Sequence, residues 1–350
     1  MHARVLLVSI FLAAVLCGGT FVYAVLNFGI KDVMSLPILW ADEPNSLLSQ
    51  KSDEPISVIF TGDVMLARDV EMRLLREERG YALSAIKDTL KADAVVMNFE
   101  AAVPESHVQT QFMEMKFSVR TDLISELSLL SPIYLSLANN HSLDYGAVGY
   151  DNTVRVLEEA GFKPYGHAVS ISTSSLSVIE KNGQRVLMLH INATYGNPDI
   201  SLIKNIVKSA GPANLTVAYI HWGTEYEPLN DNAQENLAHS LVDNGFDLIV
   251  GHHPHVVQNI EKYKDGLIFY SLGNFIFDQY WRPEVQEGLI LKLLGDERGW
   301  KVELIPVESL TVRVQPRLML GEDRQIFLEG LASRSDRELA EEIVFGLIHF

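Results

Sequence analysis

The chain has one cysteine in 350 residues, Cys17. Everything after it lacks thiols, so neither a disulfide nor cysteine ligation of a metal is available. Basic residues are also short, with 28 Lys and Arg against 45 Asp and Glu, for a formal net charge of −17. That balance excludes nucleic acid as a partner, because such a binder needs a basic face to displace counterions. There is no internal repeat and no low-complexity tract. The length suits one large domain or two ordinary ones. Histidine is sparse at 11 residues, yet three of them, His252, His253 and His255, fall within four positions. Any metal site must be built from His, Asp, Glu and Asn.

One long apolar run is present. Val5 to Leu26 is 22 residues without a charge, preceded by Met1, His2, Ala3 and Arg4. It is long enough to cross a bilayer as a helix. Arg4 and the amino terminus set residues 1–4 on the cytoplasmic side, so the bulk of the chain is expected to be extracytoplasmic. A cleaved signal segment competes with an uncleaved anchor. Val22-Tyr23-Ala24 is a passable cleavage site, but the run exceeds a usual signal core, and the anchor is the expectation adopted. Leu16-Cys17 fits a lipoprotein site poorly. Residues 27–54, with Pro37 and Pro44, read as a tether.

Beyond the tether, apolar runs alternate with helical spacing. Strands are expected at Ile56–Phe60, Ala94–Met97, Ile133–Leu137, Leu215–Ile220, Leu248–Val250 and Leu267–Leu272. Asn182-Gly183 between Leu176–Glu180 and Arg185–Asn192 predicts a hairpin. Gly288–Leu294 and Lys301–Val307 read as a closing antiparallel pair. Helices are expected over Val70–Ala92, Asp151–Ala160, Ile200–Ser209, Asn232–Asn244 and, as an amphipathic element, Arg334–Phe350. Alternating strands and helices imply a largely parallel sheet, which places ligands at the carboxyl ends of its strands. Six strands here end in Asp, Glu, Asn or His. Any one such end is an ordinary turn. Four histidines at strand ends, His141, His221, His253 and His255, are not accounted for that way.

Together, Asp63, Glu100, Asn140, His141, His221, His253 and His255 form an oxygen-and-imidazole set suited to one or two divalent ions. The motifs Gly62-Asp63-Val64-Met65-Leu66, Asn98-Phe99-Glu100, Ala138-Asn139-Asn140-His141, His221-Trp222-Gly223-Thr224-Glu225-Tyr226, Gly251-His252-His253-Pro254-His255-Val256 and Ser271-Leu272-Gly273-Asn274-Phe275-Ile276-Phe277-Asp278 resemble the bacterial CapA family. That family is associated with capsule and poly-γ-glutamate synthesis. Their order is also similar to the calcineurin-type metallophosphoesterase pattern. The resemblance covers about residues 56–307.

The resemblance implies an α/β fold, a four-layer α/β/β/α metallophosphatase-like sandwich over residues 55–310, with 311–350 as a C-terminal extension. It implies a role in making, anchoring or trimming a surface polymer, alone or beside a polymer synthase complex. One ion (Mn, Zn, Fe or Ca) would take Asp63 and His255. The other would take Asn140, His221 and His253, with Glu100 between them. His141, with Asn140, would act near an anionic polymer or phosphoester substrate. The chain departs from the phosphoesterase pattern at Met65, where that pattern has a histidine. A thioether does not replace imidazole on a hard or borderline ion. The Asp63/His255 position is therefore short of a ligand, and if only one ion binds it is expected on the His253 side. Of the three clustered histidines, His253 and His255 fit the His-x-His spacing. Arg120, Glu225, Asn274 and Asp278 are candidates to line the substrate cleft.

Overall fold

The computed structural model describes residues 54–111, 113–129 and 131–350. The expected anchor over 5–26 lies outside them, as does nearly all of the tether. Among the described residues no helix is long and apolar enough to cross a membrane.

Two sheets form the domain. The first has nine strands: β1 (Ile56–Val64), β2 (Ala94–Phe99), β3 (Ile133–Ser136), β4 (Lys163–Tyr165), β11 (Asn274–Ile276), β12 (Glu287–Asp296), β13 (Gly299–Glu308), β14 (Arg317–Leu318) and β15 (Leu347–His349). Its order is β14-β13-β12-β1-β2-β3-β4, with β11 added to β1 and β15 to β13. The second has six strands: β5 (Leu176–Lys181), β6 (Gln184–Asn192), β7 (Leu215–His221), β8 (Leu248–His252), β9 (Ile260–Tyr263) and β10 (Gly266–Phe269). Its order is β5-β6-β7-β8-β10-β9. The runs β1-β2-β3-β4 and β6-β7-β8-β10 are parallel, and apart from the edge strand β4 their residues are largely apolar and buried, as parallel strands require.

Side-chain alternation along the strands sorts the core into layers. Val58 and Phe60 of β1 and Val96 of β2 meet Val217, Tyr219, Leu248 and Val250 of the second sheet, so the sheets share one apolar layer. The alternate residues Ile59, Val95 and Met97 pack with Val70 of α1 (Arg68–Leu74) and Leu157 of α2 (Gly146–Glu159). On the second sheet, Ala218, Ile220 and Ile249 pack under α3 (Ile200–Ser209) and α4 (Asn232–Asp243). Asp199 and Asp231 cap these two helices, each accepting from two backbone amides of the first turn.

Three expectations are corrected. The helix expected over Val70–Ala92 is confined to α1. A cluster of charged residues ends in Gly80, which takes a left-handed conformation (φ 83°), and only a single 3₁₀ turn, Tyr81–Leu83, follows. The C-terminal amphipathic helix is not continuous. α5 (Gly321–Arg334) ends at Arg334, where that helix is expected to begin, and α6 (Ala340–Phe345) is stopped by Gly346 at φ 85°; β15 then pairs with β13. The strand expected at Leu267–Leu272 stops at Phe269, and the chain crosses to the first sheet, where Asn274 opens β11 beside β1.

Candidate metal centre

Register brings the polar strand ends together. Asp63 of β1 lies opposite Asn98 of β2 on one side and Asn274 of β11 on the other. In the second sheet His221 of β7 lies opposite His252 of β8. The two ends face each other across the seam between the sheets. Two glycines let the backbones approach there. A Cβ on Gly62 would lie 2.2 Å from the Gly273 carbonyl oxygen, and one on Gly251 would lie 2.0 Å from that of Tyr270. Past β8 the chain turns sharply, with His253 at φ 96° and His255 at φ 57°. Non-glycine residues rarely hold this conformation, which persists where the surroundings over-determine it.

Asp63 is fully buried. Oδ1 accepts from Asn98 Nδ2 (2.8 Å) and His252 Nδ1 (3.1 Å); Oδ2 accepts from the His253 amide (3.3 Å) and lies 3.1 Å from His255 Nδ1, whose one proton it shares with Asn274 Oδ1. Burial alone would raise this carboxyl, but the bonds from His252 and His255 outweigh it and hold the group well below the usual range. His255 feels the converse. Burial lowers it, yet the Glu100 and Asp63 carboxylates bring it up to about 9.

Glu100 is different. Oε2 is within reach of Asn98 Nδ2 (3.4 Å), but Oε1 is buried without a hydrogen-bond partner. Around Oε1 stand three imidazole nitrogens: Nε2 of His255 at 3.7 Å, and Nε2 of His141 and of His221 at 3.9 Å. These distances are too long for hydrogen bonds. They approach the spacing of atoms sharing one cation, since ligands at about 2.1 Å from a metal sit about 3.0–3.4 Å from each other. Burial pushes the Glu100 carboxyl well above its usual range, a shift that a neighbouring cation would reverse. His253 Nδ1 is likewise buried without a partner, and burial beside His255 lowers this imidazole to about 4. Burial also lowers His221 well below its ordinary value. Neutral imidazoles are the form that ligates. Three overlapping groups have donor atoms within 4.8 Å of one another: Glu100, His221 and His253; Asp63, Glu100 and His255; and Glu225, His253 and His255. The residues present therefore fit a cation.

Asn140 Oδ1 sits 2.8 Å from His221 Nε2, beside the first group. His141 is held from behind: its Nδ1 donates to Asp144 Oδ2 (2.9 Å), and its ring stacks on Phe117 at 4.1 Å. Met65 is no ligand, because its Sδ accepts the Ala67 amide at 2.9 Å and the side chain is fully buried in the apolar core.

A family model described as "Bacterial capsule synthesis protein PGA_cap" matches residues 57–279. The chain belongs to this family. It is 31% identical over 301 residues to "Capsule biosynthesis protein CapA" of Bacillus anthracis, covering 79% of this chain and 73% of that one. It is 28% identical over 296 residues to "PGA biosynthesis protein CapA" of Bacillus subtilis (strain 168), covering 79% and 78%. Among solved structures, a hypothetical protein from Thermus thermophilus aligns with a TM-score of 0.46 and 16% identity, covering 72% of this chain and 98% of that one. The NAD nucleotidase of Haemophilus influenzae aligns at 0.43 and 11%, covering 81% and 63%.

Within this PGA_cap domain the substrate candidates separate. Glu225 joins the histidine turn. Asn274 does not face the cleft freely: its Oδ1 accepts from His255 Nδ1 (3.0 Å), and its amide is spent on Gln279 Oε1 and the Val285 carbonyl. Asp278 is buried in an ion pair with Arg68. Arg120 gives its guanidinium to Asp122 in a solvent-accessible pair. Sequence reasoning passed over Asn98, Asp144, His252 and Arg68. Asn98 could have been found, since it lies near the end of β2, two residues before Glu100.

Proposed function

We propose that this chain acts in the synthesis of a capsule or poly-γ-glutamate-type surface polymer, as a membrane-anchored, extracytoplasmic, metal-dependent hydrolase or transferase. The observation that carries the chemistry is Glu100 Oε1, buried, unpaired and ringed by three imidazole nitrogens. A buried unpaired carboxylate oxygen is costly, and a cation removes that penalty. The polymer follows from the family and from what its Bacillus relatives are called. The anchor rests on the uncharged run Val5 to Leu26.

Glu100, His221 and His253 would hold one ion, with Asn140 Oδ1 beside them. Asp63, Glu100 and His255 would hold a second. A divalent cation there supplies charge that polarises a phosphoryl or acyl oxygen and acidifies water. The chain's own residues do the rest. Asp144 fixes the His141 proton on Nδ1, which leaves Nε2 as the atom that takes or gives a proton beside Glu100. Asn98 orients Asp63 and Glu100 together.

The test uses the full-length chain in detergent, stripped with chelator and titrated with manganese or zinc, against a phosphomonoester and poly-γ-glutamate. Activity should appear with metal and vanish in His221→Ala. Activity indifferent to both would overturn the enzymatic reading.

A second reading, a non-catalytic assembly factor of a synthase complex, is favoured by one observation. Met65 contributes no ligand and Asp63 already accepts from Asn98, His252 and the His253 amide, so the second ion position is poorly provided. Full rescue of surface polymer in a deletion strain by a His253→Ala/His255→Ala chain would favour that reading.

A further inference from the structure

Arg68 opens α1, five residues after Asp63, and takes a left-handed backbone (φ 53°) that a non-glycine residue rarely adopts. Its side chain is 8% exposed. Burying a guanidinium is unfavourable unless its donors are met. Two are met by Asp278, with Nε donating to Oδ2 at 3.1 Å and Nη2 to Oδ1. The third nitrogen, Nη1, has only Met115 Sδ at 3.8 Å, a weak acceptor carried by an exposed and flexible side chain.

The location is beside the centre. The Arg68 guanidinium carbon lies 4.6 Å from the Phe117 ring, the ring that stacks on His141. It lies 5.8 Å from the Phe277 ring, which in turn sits 4.7 Å from the His255 ring. One phenyl group therefore separates a permanent cation from His141, and another separates it from His255. Among the described residues no other Lys or Arg lies over these two rings. The domain is acidic overall, so an anionic substrate needs such a local positive charge.

We propose that Arg68 binds an oxyanion of the substrate, a carboxylate or a phosphate, through Nη1 once Met115 swings aside, with Asp278 holding the guanidinium in place and competing for it. This rests on the reading of the neighbouring cluster as the substrate site. Arginine suits the task because its donors are planar and fixed.

The competition gives the test. Binding of inorganic phosphate and of glutarate to the full-length chain is measured by calorimetry, metal-stripped and metal-loaded, with folding followed by thermal melts. Arg68→Met should lower affinity about tenfold or more, as loss of a charged hydrogen bond does. Arg68→Lys should recover part of it. Asp278→Asn is isosteric and can still accept the Asp69 amide, a bond of 3.1 Å in the native chain. It should raise affinity several-fold by freeing the guanidinium. A purely structural ion pair predicts the opposite, with Asp278→Asn binding no better or worse than the native chain. That result would overturn the proposal, as would native affinity in a folded Arg68→Met chain, or failure of both probes to bind the native chain. If Arg68→Met does not fold, Asp278→Asn decides alone. The two probes separate a carboxylate from a phosphate preference. Arg68-dependent binding in the stripped protein stands even where metal-dependent activity is absent, so the two readings fail separately.

Discussion

Replacing Glu100 by Gln gives opposite results with and without metal. The substitution keeps the shape and the oxygen that faces Asn98, and replaces the unpaired, chargeable Oε1 by a neutral amide nitrogen. Leaving a buried acceptor unsatisfied costs about 1–3 kcal/mol, more when it is charged. The upward shift of this carboxyl shows the same penalty, since burial disfavours its charged form in the fold. The stripped variant should therefore be more stable than the stripped native chain by about 1–3 kcal/mol. For a domain of this size each kcal/mol moves the melting midpoint by roughly 2 °C, so a rise of about 2–6 °C is expected. With metal the order reverses. The variant loses a charged ligand, and affinity should fall by more than the roughly 10–100-fold that loss of an outer-shell partner produces. Ligand stabilisation grows with the logarithm of concentration over Kd, so the loaded variant melts below the loaded native chain. Melting curves and calorimetric titration with zinc or manganese check both halves. A stripped variant that melts at or below the native chain would refute the idea that Oε1 awaits a cation. So would unchanged metal affinity.

Met65→Ala should destabilise the domain by about 2–5 kcal/mol, as deletion of a buried side chain does, while metal content by mass spectrometry stays native, because the sulfur faces the Ala67 amide. Gly251→Ala should be among the most damaging small changes, since its Cβ would meet the Tyr270 carbonyl and the Trp222 indole nitrogen; loss of soluble protein or of metal affinity is the expected outcome. Asp144→Asn should leave metal affinity near native but lower kcat about tenfold or more, because His141 loses the partner that orients it. Unchanged kcat would remove His141 from the proton-handling role.

Much of the site was legible because buried parallel strands announce themselves as short apolar runs, and their polar ends are then conspicuous. Asp63, Glu100, His221, His253 and His255 emerge that way, and the structure gathers all five. What stayed hidden depends on register and on crossing between sheets. Nothing in the sequence puts Asn98 opposite Asp63, or hands His252 to the same carboxylate. Asn274 follows an apolar run of the second sheet, yet it belongs to the first. Arg120 was the cation the sequence offered, whereas Arg68 carried no signal there and is set apart only by its burial against Asp278. Helical spacing from Val70 to Ala92 was read through Gly80, whose left-handed turn ends the pattern.

The seam between the sheets also bears on how the chain reaches its native state. Asp63 bonds to His252 across 189 positions of sequence. Closing a loop of that length opposes the contact by about 4–5 kcal/mol before any native interaction offsets it. Contacts so distant in sequence form late and slow the folding of the whole. Asp63 and Glu100 are made first, but His252, His253 and His255, which surround them, lie in the last third of the chain. A chain halted before Gly251 would carry two carboxylates without the turn that completes their surroundings. The centre can therefore exist only once both sheets have supplied their strand ends and docked.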